Sequence, residues 1–324
     1  MKNVFIYTGP HPAHEVLAAS IHCAPVKTNR TGINKIPFIG RIGAALDAQK
    51  HITCGAEIIL TESISTDLLA GAIFKNKNPK TKLIALLTDP KLYELKTAPA
   101  LDKMLTLWSL DRADMLLVGS QMMLDLVPHE YKHKTHIFHP GIKDIKDHLK
   151  CKAKHGKNFV FIGRLDDYKG TDRIPHLIKA FRETFPHSMI YVAGDGPNKS
   201  LIQDKMLDGI KYLGKTNDSL FMHDVASIYV SPARFEPSGL AIVEAMAQGL
   251  VPIVTEGVGY KEFVRDVDDR LIVHGEIEAQ IIATKLMKDK KFWAELSNKC
   301  KHVVKNLSYE NSVKEFKSIL NKYI

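Results

Sequence analysis

The sequence of 324 residues contains no stretch of about 20 apolar residues, so it offers no candidate for a membrane-spanning helix. Its start, Met1 to Pro10, holds too short an apolar run for a secretory signal. Cysteine is scarce. Cys23, Cys54, Cys151 and Cys300 lie far apart and form no C-x-x-C pair, which excludes the common zinc and dithiol motifs. Four isolated thiols suit a reducing compartment, so a cytoplasmic location is expected, with peripheral contact to a membrane surface left open. No amphipathic basic helix stands out to make that contact. The formal net charge is +9, yet no tract of five or more basic residues occurs. That distribution argues against nucleic acid and for a solvated basic surface with an anion pocket. No complete G-x-G-x-x-G is found, which weighs against a dinucleotide. Internal repeats and low-complexity segments are also missing.

What is present is an ordinary globular composition, 45% apolar and 25% charged, in a chain long enough for about two domains. Short aliphatic runs alternate with helical patterns, the mark of parallel α/β sheets. In the first half the runs are Val4–Tyr7, Glu57–Leu60, Lys82–Leu87 and Met115–Val118. The spacing between them predicts a helix over Ser65–Lys75, with Leu68, Leu69, Ala72 and Ile73 on one face. A lysine-rich stretch poor in large apolar residues, Lys143–Asn158, reads as an interdomain linker. A second α/β set follows, with strands at Phe159–Gly163, Met189–Ala193, Lys211–Leu213, Ser227–Val230 and Pro252–Val254. Helices are expected over Thr171–Phe185, around Lys290–Asn306 and over Tyr309–Tyr323. The expected domains are 1–145 and 155–306, with a C-terminal helix at about 309–324 packing back on the first.

In open α/β sheets ligands bind beyond the carboxyl ends of the strands. Three loops there carry chemistry. Ser231 to Gly249 reads as strand, loop, helix and glycine stop. The amides of Ser238, Gly239 and Leu240 at its helix start form an anion site, with Glu236 before it and Glu244 nearly two turns on. A diphosphate could sit there, with one carboxylate toward ribose hydroxyls and the other toward a sugar. Taken alone, the segment equally fits a buried βα unit with Glu236 capping and Glu244 solvated. Gly163-Arg164 leaves a strand and Lys169 follows five residues later, so two cations could clamp a diphosphate. Taken alone, surface pairing with Asp166, Asp167 or Asp172 is the favoured reading of the two. Gly194-Asp195-Gly196-Pro197 is a glycine-rich turn that is weak alone. Asp266-Val267-Asp268 spells D-x-D but falls in a turn between a helix and a strand, so no metal site is expected.

The order Gly-Arg-Leu…Lys-Gly, Gly-Asp-Gly-Pro, Tyr-Leu-Gly, then Ser-Pro…Glu-Pro-Ser-Gly-Leu…Glu-Ala-Met-Ala…Gly across 158–260 resembles the retaining glycosyltransferases of family GT4. Phe138-His139-Pro140-Gly141-Ile142 is similar to the segment that family carries before its linker. The resemblance implies a GT-B architecture, two Rossmann-like domains facing across a cleft. It implies that Arg164 and Lys169 bind the donor diphosphate, that Glu236 faces the transferred sugar and that Glu244 binds the ribose. By the same resemblance Gly163, Gly194, Ser238, Gly239 and Leu240 line the donor, Leu213 and Lys215 lie near the base, and Gly9 approaches the phosphates from the other domain.

The sequence departs from the family in two places. The first loop reads Gly9-Pro10-His11-Pro12 rather than paired glycines, and the N-terminal strand expected to precede a histidine leads into Thr88-Asp89-Pro90. Asp89 is the candidate substitute for the sugar contact. His11 and His14 are assigned to acceptor binding or to the surface. The function expected is metal-independent hexose transfer, with retention, from a nucleoside diphosphate sugar to a hydroxyl acceptor, with no cofactor. GDP-mannose is favoured on family frequency. The partners expected are this donor and a glycan, glycoprotein or lipid-linked acceptor, with a homodimer left open. The alternatives are a GT-B-like epimerase or phosphorylase and a non-catalytic nucleotide-sugar binder.

Overall fold

The aliphatic runs form two parallel sheets, each enclosed by helices. The computed structural model describes residues 3–9, 11–28, 39–203, 208–216 and 218–323. The chain divides into two units, Met1–Gly141 with Tyr309–Ile324, and Ile142–Ser308. In the first, β1 (Asn3–Tyr7), β2 (Cys23–Lys27), β3 (Ile58–Thr61), β4 (Lys82–Leu87), β5 (Met115–Val118) and β6 (Thr135–Ile137) lie in the order β2-β1-β3-β4-β5-β6. In the second, β7 (Phe159–Ile162), β8 (Ile190–Ala193), β9 (Ile210–Gly214), β10 (Ile228–Ser231), β11 (Val251–Thr255) and β12 (Ile272–Val273) lie in the order β12-β11-β10-β7-β8-β9. Every pairing is parallel. Both orders reverse direction once, at β1/β3 and at β7/β10, and such a reversal opens a crevice at the carboxyl ends of the two strands.

Central strands are buried on both faces, which is why they read as unbroken aliphatic runs. Pro25 is tolerated because β2 is an edge strand. Pro252 lies in an inner strand, but β12 pairs only with Val254 and Thr255, so no neighbour on that side needs its missing N–H.

The helix expected from residue 65 runs Thr66–Lys77 with Ser65 as its cap. It is not one-sided: Leu68 through Ala72 and Phe74 are buried, whereas Ile73 is only half-buried. The helix Tyr309–Tyr323 places Phe316 and Leu320 in the core of the first unit with Phe5, Leu17, Leu60 and Phe138. In the second unit Phe159 stacks on Phe181 at 4.1 Å, and Trp293 donates its indole N–H to the Ser227 carbonyl at 3.0 Å.

The stretch 143–158, read from composition as a linker, belongs to the second unit. Ile145–Lys150 is a helix with Ile145 and His148 buried. The amide of Ile142 donates to the Leu307 carbonyl at 2.9 Å, so the two ends of the second unit are held side by side. Replacing Phe316 by Ala should lower unfolding stability by about 3–5 kcal/mol through the cavity left in the first core. Urea denaturation checks this, and an unchanged midpoint would show that the C-terminal helix does not contribute to that core.

Candidate functional site

Two loops emerge at the β7/β10 reversal and touch. Residues 163–170 follow β7 and residues 232–239 follow β10. Gly170 has φ +66°, and a Cβ there would lie 2.1 Å from the Pro232 carbonyl oxygen. Only glycine allows both that backbone angle and that approach. The carbonyl of Tyr168 accepts from the amides of Arg234 and Phe235 at 2.8 and 3.0 Å. Arg234 makes a two-pronged ion pair with Asp172 at 2.6 and 2.7 Å.

This joint brings Lys169 onto Glu236, and the two side chains form an ion pair. Lys169 is only 26% exposed, and burial pushes its ammonium down to about 8 against the opposing pull of Asp166. Asp166 has two tasks. One oxygen accepts from the Lys169 amide at 2.9 Å, and the other holds the Arg164 guanidinium at 3.0 Å. Arg164 is 70% exposed, so it is tethered at its base and open to solvent.

Glu236 is fixed from its far side by the loop after β11. Its amide donates to Gly257 at 2.8 Å and its carbonyl accepts from Gly259 at 2.8 Å, a single parallel bridge. Tyr260, fully buried, donates its amide to the Ser238 carbonyl at 2.8 Å. Gly239, with φ +114°, then starts the helix Leu240–Ala247 without a side-chain cap. Among the described residues the amides of Ser238, Gly239 and Leu240 donate to no protein acceptor. An uncapped helix start whose amides are free is a ready anion site.

Glu244, one turn into that helix, is half-buried rather than fully solvated. Burial raises its carboxyl to about 7, opposed by a hydrogen bond from Ser219, and Asp218 nearby pushes in the same direction as burial. Gly163 and Gly194 adjoin the joint: the Gly163 amide donates to Ala193 at 3.1 Å and the Gly194 amide to Gly214 at 2.8 Å. Leu213 and Lys215 are exposed at the end of β9, the sheet edge. Thus Gly163, Arg164, Lys169, Gly194, Glu236, Ser238, Gly239, Leu240 and Glu244 all belong to the carboxyl-end loops of one sheet or to the helix that follows them.

Gly9 and Asp89 belong to the first unit. Gly9 is exposed after β1, and a Cβ there would meet nothing within 4 Å. Asp89 follows β4. Burial pushes its carboxyl up to about 7, and Asp67 adds to the shift. Asp67 is raised to about 6 by burial while Thr8, Thr28 and Ser63 donate to it at 2.8–2.9 Å. His14 is buried rather than on the surface, 2.7 Å from Glu62, and His11 caps the helix Pro12–Ser20 through its ring nitrogen. The sequence reading overlooked Glu62 and Asp67. A polar pair just beyond β3, where the sheet order reverses, was the available signal.

The D-x-D turn has a structural task, since Asp268 accepts from the Arg270 amide at 3.0 Å and pairs with its guanidinium. No group of three or more metal-binding side chains occurs among the described residues. None of their helices is long and apolar enough to cross a membrane.

Two sheets of Rossmann order, with an anion-ready helix start at the reversal of the second, define a doubly wound α/β fold that presents an anion site beyond its strand ends. The chain belongs to the family of glycosyl transferases group 1, whose profile matches residues 144–306, half of the chain. An uncharacterized glycosyltransferase of Haemophilus influenzae is 26% identical over 173 residues, 51% of this chain and 49% of the relative. Glycogen synthase of Elusimicrobium minutum is 26% identical over 179 residues, 50% of this chain and 36% of the relative. The chain therefore spans about half, or less, of the length of these curated relatives. The solved structure of Anabaena HepE in complex with UDP and glucose aligns with TM-score 0.76 and 15% identity, covering 99% of both chains. That likeness gives the fold, which is of GT-B type.

The two shifted groups set a pH window. Glu244 accepts a hydrogen bond best as a carboxylate, above about 7, and Lys169 holds an anion only as an ammonium, below about 8. Calorimetric titration with a nucleoside diphosphate should therefore give tightest binding between about 7 and about 8, weakening on both sides. A flat profile would remove both groups from the binding site.

Proposed function

We propose that this protein transfers a hexose from a nucleoside diphosphate sugar to a hydroxyl acceptor, with retention of anomeric configuration and without a metal ion. The observation that carries the reading is the joint itself: Lys169, Glu236, Arg164 and the free amides at Ser238–Leu240 converge at one sheet reversal.

Lengthening of the anomeric C–O bond puts negative charge on the departing diphosphate. Lys169, Arg164 and the helix start would stabilise that charge in place, where it develops. Glu236 would orient the sugar rather than attack it. Attack of the acceptor on the face the diphosphate leaves, with a phosphate oxygen taking the acceptor proton, gives retention without a protein nucleophile. Glu244 would accept from the ribose hydroxyls. Gly194, Leu213 and Lys215 would border the nucleoside. Gly9 and Asp89 would serve the phosphates and the sugar from the first unit, whose buried carboxyl cluster suits hydroxyl donors of an acceptor glycan, glycoprotein or lipid-linked sugar. No cofactor is required on this reading.

GDP-mannose, favoured by the sequence resemblance, stands beside UDP-glucose, which the UDP and glucose of the HepE complex support. Calorimetry with a panel of nucleotide sugars, with and without chelator, chooses between them. Binding of one donor unaffected by chelation supports the reading, and binding of none sinks it. With that donor, Lys169→Ala should lower kcat on the order of 10²–10³-fold with an unchanged unfolding midpoint. A fully active Arg164→Ala, Lys169→Ala double variant would refute the assigned roles. Turnover without an acceptor, or only with free phosphate, would replace a transferase by an epimerase or phosphorylase.

A further inference from the structure

The lysine-rich stretch once read as a linker has a place that transfer chemistry does not use. From Cys151 to Asn158 the chain runs as a strap leading into the amino end of β7, at the opposite end of the strands from the loops of the candidate site. It is held at three points: the Ala153 amide donates to the Gln248 carbonyl at 3.0 Å, the Ser227 hydroxyl donates to the Gly156 carbonyl at 2.8 Å, and the His155 ring meets the Leu286 carbonyl at 2.9 Å. Between the strap and the segment His223–Ser227 lies a cavity of about 500 Å³.

Four lysines are among its lining residues, Lys150, Lys152, Lys154 and Lys157, against one acidic residue, Asp224. Asp224 faces His223 at 3.4 Å. Lys150 is paired outside the cavity lining with Asp147 at 2.7 Å, and Lys157 lies 4.9 Å over the Phe185 ring. Lys152, Lys154 and Lys157 have no carboxylate partner among the described residues, whose ion pairs lie elsewhere. The amides of Lys154, Gly156 and Lys157 donate to no protein acceptor among those residues. Lys301, behind the strap, is pushed down by burial and by the charge of Lys152. Like charges crowded round a concave space raise its potential, and an oligo-anion relieves their repulsion. The volume is that of a small-molecule site.

We propose that the strap 150–158 and the segment 223–227 form a second anion site, which takes a phosphate-bearing ligand away from the donor loops. Lysines on flexible stems fit a phosphate as point charges, without the planar match that arginine gives. The strap amides supply the remaining donors. The site does not depend on the transferase reading, because no residue of the donor joint belongs to it.

The test titrates the full-length chain with inorganic phosphate and with a hexose monophosphate. It compares wild type, the K152A/K154A/K157A triple variant and K169A. All three strap lysines are exposed, and thermal melts check that the triple variant is folded. Expected is binding to wild type and to K169A, with affinity at least about tenfold weaker in the triple variant. A second arm sediments the protein with phosphatidylcholine vesicles with or without phosphatidylglycerol. Capture only by the anionic vesicles, lost in the triple variant, keeps the site and assigns its phosphate to a lipid headgroup. Binding to neither the soluble phosphates nor the anionic vesicles, binding that survives the triple substitution, or binding lost only in K169A would overturn the proposal. The nucleotide-sugar panel can fail without affecting any of these outcomes.

Discussion

The contact between Gly170 and the Pro232 carbonyl is the constraint on which the candidate site depends. It joins loops that are about 60 residues apart in sequence but leave adjacent strands. A side chain at 170 would force the loops apart, and Lys169 would lose Glu236. The same joint explains why Asp166 binds inward, to the Lys169 amide, rather than facing solvent. A third loop locks the arrangement through the Glu236 bridge to Gly257 and Gly259. The rigid sheet reversal thus positions side chains that the loops alone would leave mobile.

How much of this was legible follows from where each signal lies. The strands found from sequence are the inner ones, plus β9. The strands left unassigned, β2, β6 and β12, are all sheet edges. Edge strands are short and bury less, so their residues need not be uniformly aliphatic: β2 is Cys-Ala-Pro-Val-Lys and β12 only Ile-Val. The linker reading failed for a related reason. Lysines at 146, 150, 152, 154 and 157 are exposed, while the residues that fix the segment, Ile145, His148 and Ala153, are few and small in signal.

At the site, residue types in motif order located the loops, but not their pairings. That Lys169 meets Glu236, or that Arg234 meets Asp172, depends on strand order, which local sequence does not specify. The partners that tune Glu244, Ser219 by its hydrogen bond and Asp218 by its charge, lie some 25 residues earlier in a different segment, so its raised carboxyl had no local sign. Gln248 shows the same non-local logic. Fully buried at the end of the Glu244 helix, it receives the strap amide and reaches His148 and the Ser219 carbonyl at 3.2 and 2.9 Å. One helix of eight residues, about 12 Å long, therefore has the free amides at its start and the anchor of the lysine strap at its end.

The Lys169–Glu236 pair also bears on how the proposed chemistry would begin. Burial brings this ammonium down to about 8, so it remains mostly charged at neutral pH, and the adjacent carboxylate offsets part of the cost of its desolvation. A diphosphate brings more negative charge to the ammonium than a carboxylate does, and the free amides at Ser238–Leu240 add donors that Glu236 cannot use. Lys169 would then exchange Glu236 for the diphosphate, its charge reinforced rather than stranded. Glu236, released but still fixed by its backbone bridge, would have both oxygens free for sugar hydroxyls. The Lys169–Glu236 ion pair thus keeps the cation and the acid poised within reach of each other. Neither group need cross the site when a donor arrives, because one substitution of partners serves both.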